Sequence, residues 1–135
     1  MLPNILSQLD LRSGATEEEI QKLAQYVLTL TDQPLPDDYL DFLRTSNGAI
    51  GHGPDLFVNL RGAQDVSEAT IGYGAAEFFP GLIIIGTDGC GNLIAVDLTP
   101  ASSEGYKYIL FDSLDLDREY VICADDTVVG LLEKF

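Results

Sequence analysis

At 135 residues the chain has the length of one ordinary domain, with room for a single hydrophobic core. A hydrophobic fraction of 46% beside 21% charged residues is a globular balance and excludes an intrinsically disordered chain. Seven Lys and Arg stand against 22 Asp and Glu, a formal net charge of -15, and the cations are scattered singly, so no basic patch exists to release counterions from nucleic acid or to dock on an anionic membrane.

Such a charge attracts a basic partner and speeds its encounter, or keeps the chain soluble and monomeric. Cys90 and Cys123 are too few for the disulfide framework of a small secreted domain. The start, Met1-Leu2-Pro3-Asn4-Ile5-Leu6, lacks the basic segment of a signal peptide, and no apolar run is long enough to span a bilayer. A cytoplasmic protein is the expectation.

In chain order, Leu2, Ile5, Leu6 and Leu9 follow helical spacing, so residues 1–15 read as an N-terminal extension helix that Gly14 closes. Thr16 with Glu19 forms a capping box, and Ile20, Leu23, Ala24, Val27 and Leu28 give the following helix, expected to end near Thr31, one apolar stripe. Pro36 suits the first turn of a further helix, whose inner face is Tyr39, Phe42 and Leu43, and Asn47-Gly48 marks its stop. A short strand over Leu56–Leu60 and a weaker helix around Val66, Ala69, Thr70 and Tyr73 follow. Leu82-Ile83-Ile84-Ile85 reads as a strand buried on both faces, paired through a glycine turn with Leu93–Leu98 as the central hairpin. Tyr106 to Phe111 and Tyr120 to Cys123 are further strands. Asp126 is the expected cap of a last helix built on Val128, Val129, Leu131, Leu132 and Phe135, in which Gly130 is a residue of low helical propensity. Segregated helices and strands indicate a single α+β domain over residues 1–135, with a core from 16 to 135 and a largely antiparallel or mixed sheet flanked by N-terminal and C-terminal helices.

Leu35-Pro36-Asp37-Asp38-Tyr39-Leu40-Asp41-Phe42-Leu43 followed by Ser46-Asn47-Gly48 resembles the opening helix motif of the SUKH superfamily, whose namesakes are fungal cell-wall assembly regulators. Ile83 to Asn92 is similar to that family's strand, glycine turn and strand, and Ala124 to Phe135 stands where the family places its last helix. The resemblance covers roughly residues 16 to 135 and implies a mixed sheet flanked by helices, used as a protein-binding scaffold. Many bacterial members look like immunity proteins that neutralise toxins, often nucleases, and an acidic inhibitor suits a basic nuclease. The resemblance leaves an intracellular regulatory scaffold as the alternative.

No constellation points to catalysis or to a cofactor. Asp88-Gly89-Cys90-Gly91-Asn92 lacks the alternate acidic ligands of a calcium loop and the helix-opening third glycine of a nucleotide fingerprint, so it reads as a turn. His52 is the only histidine, and two cysteines 33 residues apart lack zinc-ligand spacing. An acid–base pair such as Asp88 with Asp112 is conceivable, but with 22 carboxylates such coincidences are common. The densest acidic group, Asp112, Asp115, Asp117 and Glu119, together with Asp88 and the nearby Tyr106 and Tyr108 as aromatic anchors, is the surface expected to meet a basic protein partner. The same carboxylates serve equally as a solvated loop or a charge-protected edge strand.

Overall fold

The computed structural model describes residues 9–51, 58–74, 77, 81–88, 91–98, 107–112 and 121–132. Seven strands, β1 (Leu9–Leu11), β2 (Ala49–Gly51), β3 (Asn59–Leu60), β4 (Leu82–Thr87), β5 (Asn92–Asp97), β6 (Tyr108–Asp112) and β7 (Val121–Asp125), form one sheet. Their spatial order is their chain order, and every neighbouring pair is antiparallel, which makes the sheet a meander. Among the described residues four helices accompany it: α1 (Glu17–Thr31), α2 (Asp37–Thr45), α3 (Ala63–Gly72) and α4 (Val128–Leu132). The α+β class therefore holds, and the sheet is antiparallel throughout the described residues.

The extension helix does not reach Leu9. Residues 9–11 are a strand paired with β2, and the earlier residues of that expectation lie outside those described. From Thr16 onward the local signals act as read. Thr16 Oγ1 accepts from Glu19 N at 3.2 Å while Glu19 Oε1 accepts from Thr16 N at 3.0 Å, closing the capping box, and α1 ends at Thr31. Pro36 occupies the cap of α2 just before its first turn. Of the expected strand at 56–60, the described part is β3, since 52–57 lie outside the described residues.

The central hairpin is β4 and β5, and both faces of β4 are buried. Ile83 and Ile85 join Ile94, Val96, Tyr108 and Leu110 on the face covered by α1, α2 and α4. Leu82 and Ile84 join Leu93, Ala95, Ile109 and Phe111 on the opposite face, with Ala69 of α3. Ile83 and Ile85 share the main-core face by simple strand alternation, and the register shift between Ile84 and Gly86 leaves Ile85 as the extra residue opposite β5.

Because β3 pairs with only Gly86 and Thr87, the first half of β4 would present unpaired backbone on that side. Helix α3 and the residue after β3 fill the gap: the Thr70 hydroxyl donates to Val66 O at 2.9 Å and accepts from Ile84 N at 3.1 Å, and Arg61 N, just beyond β3, donates to Ile85 O at 2.9 Å.

Candidate functional site

Helix α2 turns Tyr39, Phe42 and Leu43 into the core, as its spacing requires, and leaves Asp37 and Asp41 in solvent. Asp38 stands between the two environments. Its Oδ1 accepts from the Tyr108 hydroxyl of β6 at 2.7 Å and its Oδ2 accepts from Val128 N at the start of α4 at 3.0 Å. One carboxylate thus fastens the first turn of α2 to a central strand and to the last described helix. Tyr108 loses acidity on two counts: burial comes first, and the negative Asp38 that accepts its proton adds to it.

Asp126 was expected to cap α4, but the cap is Thr127. Thr127 Oγ1 accepts from Gly130 N at 2.9 Å, and Asp125 Oδ1 accepts from Thr127 N at 3.1 Å. A Cβ on Gly130 would press on the Asp125 carboxylate and stand 2.7 Å from Thr127 Oγ1, so a better helix former at this position would displace the groups that start the helix.

Between α2 and α4 lies an open groove of about 370 Å³ lined by Asp38, Asp41, Phe42, Thr45, Thr127, Val128 and Val129. Its walls are mostly apolar and its polar groups are carboxylates and hydroxyls. Arg44 leans away from it and forks between Glu17 Oε1 of α1 at 2.7 Å and Asp41 Oδ1 at 2.8 Å. The Arg44 hydrogen bond holds the Glu17 carboxyl below its ordinary range, and the guanidinium is correspondingly less acidic. A second groove of about 340 Å³ runs between α1 and α3, lined by Glu19, Lys22, Leu23, Tyr26, Ala63, Gln64 and Ser67, with charges of both signs.

The residues expected to meet a partner divide into three sets. Asp88 and Asp112 come to one end of the sheet: Asp88 accepts from Asn92 N at 3.1 Å and from Asn92 Nδ2 at 2.7 Å, and Asn92 is the register partner of Asp112. Tyr108 is corrected from a surface anchor to a core residue, because its side chain is fully buried and its hydroxyl is spent on Asp38. Tyr106, Asp115, Asp117 and Glu119 lie outside the described residues. Asp38, Phe42, Val128 and Val129 were read only as helix residues, and their meeting in one groove carries no local signal, since Asp38 and Val128 are 90 positions apart. Among the described residues no group of three or more His, Cys, Asp or Glu is arranged to hold a metal ion, and no helix is long and apolar enough to cross a membrane.

Ser46-Asn47-Gly48 has a structural role. Ser46 Oγ accepts from Arg12 N at 2.8 Å, and Asn47 Oδ1 accepts from Ala63 N at 2.7 Å, so the motif ties β1 and α3 to the end of α2. No curated protein matches the chain. The model of the SMI1 / KNR4 family (SUKH-1) matches residues 14–129, which span all of α1 to β7 and the first residues of α4. With the opening helix motif, the strand–glycine–strand hairpin and the closing helix all inside or overlapping that match, the chain belongs to the SMI1 / KNR4 family (SUKH-1).

Proposed function

We propose that this chain is a bacterial immunity-type protein that binds a basic, nuclease-type toxin domain in the cytoplasm and neutralises it. Membership of the SUKH family carries the reading, since it supports a protein-binding domain of immunity or regulatory type. The net charge of -15 selects the partner within that class: a basic surface is drawn to it and steered on approach, and an acidic one is repelled. The reading assigns no reaction to the chain and no cofactor. A regulatory scaffold of the cell-wall assembly type is the second reading, favoured by the SMI1 / KNR4 members that give the family its name.

Affinity isolation of the tagged protein from its source cells at low and at high salt tests the two, with products of neighbouring genes co-expressed as bait. The expected result is one basic protein, released as salt rises, whose toxic activity is lost in the complex. A cognate toxin that stays fully active when bound defeats the immunity reading. Several regulatory proteins held weakly would establish the scaffold.

A further inference from the structure

We propose that the groove between α2 and α4 seats a lysine or arginine side chain presented by a basic protein partner. The proposal rests on the protein-binding reading and deepens it by naming the surface and the anchoring chemistry. Phe42 and Val128 form a nearly closed apolar floor, at 7% and 1% exposure, and Val129 stands partly open beside them. A purely apolar anchor would take the Asp38 charge, which is met only by neutral donors, out of water with no cation to balance it. A long cationic side chain matches both halves, because its methylene stem covers the floor while its charged head stays at the acidic rim.

The charged residues that line the groove, among those described, are Asp38 and Asp41, and Arg44 bridges Asp41 to Glu17 on α1. Both donors to Asp38 are neutral groups, a tyrosine hydroxyl and a backbone N–H, so its negative charge stays at the groove wall. A volume of about 370 Å³ admits one or two side chains and no larger element. The α1–α3 groove offers a poorer seat for a cation, because Lys22 lines it. A second copy of the chain is disfavoured as occupant by its own charge of -15.

The test is an amide chemical-shift titration of the full chain with N-acetyl-arginine-N-methylamide at fixed ionic strength, beside the norleucine analogue of the same stem without the charge. Saturable shifts for arginine confined to residues 38–45 and 127–130 are expected. Val129→Lys, which places a cation in the groove, should weaken that binding about tenfold or more, a loss of about 1.4 kcal/mol. Glu18→Gln, an equal change of charge on α1, should alter it less than about twofold. Shifts spread over the whole acidic surface, or left intact by Val129→Lys, overturn the proposal. Equal binding of the norleucine analogue overturns the cationic occupant. Groove shifts that grow with protein concentration alone identify a second copy instead. When a basic partner protein is in hand, undiminished capture by Val129→Lys defeats the groove while leaving protein binding intact, whereas absence of any partner defeats the protein-binding reading and leaves the titration to decide the groove.

Discussion

The two oxygens of Asp38 accept from different elements, so removing the side chain injures both at once. Asp38→Ala should cost about 3 kcal/mol, since the buried Tyr108 hydroxyl loses its acceptor and the first turn of α4 loses a capping carboxylate. Tyr108→Phe alone should cost about 1 kcal/mol and close to nothing in the Asp38→Ala background, a coupling that urea denaturation of the four proteins measures. Tyr108 and Tyr39 also set the alkaline limit. Burial raises the pKa of both, and for Tyr108 Asp38 adds to it, while an unfolded tyrosine ionises near its ordinary value of 10.0. A raised folded value means stability fully present below pH 10 and lost as the pH climbs beyond it, because only the unfolded chain releases these protons. The expected observation is tyrosinate absorbance that rises with the exposed rings first and is completed only in the unfolding step. Tyr39→Phe should move that step to higher pH.

Among the elements, those that sequence periodicity marks are those whose cause is local. The capping box of α1 involves residues three apart, and the buried run of β4 declares itself by being β-branched on both faces. β1 is the counter-example. Three residues, Leu9 to Leu11, are a strand only because β2 pairs with them, and the helical spacing of the leucines before them says nothing of that pairing. The cap of α4 moved from Asp126 to Thr127 because aspartate and threonine both suit a cap, and Asp125 decides between them by bonding Thr127 N. Gly48 was read as a helix stop on propensity, but its necessity is spatial. It sits at φ 93°, and a Cβ there would stand 2.7 Å from Leu60 O, between α2 and β3. Gly48→Ala should therefore cost about 2 kcal/mol or more, read as a drop in the urea midpoint with the slope unchanged.

Over the whole molecule, charge acts on stability as well as on recognition. With -15 confined to one small domain, self-repulsion favours the expanded chain, and screening should relieve it. The melting temperature is expected to rise by several degrees between about 10 mM and 300 mM sodium chloride, while binding to a basic partner slows over the same range. A melting temperature flat in salt would show that the carboxylates are spaced widely enough not to repel. The fold was open to reading because a meander keeps each strand beside its chain neighbours. The groove was closed to it, because Asp38 meets Tyr108 across 70 positions and Val128 across 90. That separation also orders events during synthesis. Each hairpin can close as soon as its second strand has left the ribosome, but the wall formed by Thr127, Val128 and Val129 arrives after all seven strands have emerged. Docking of α4 onto Asp38 therefore comes last, and a nascent chain able to build its sheet still has no place to hold a partner's cation.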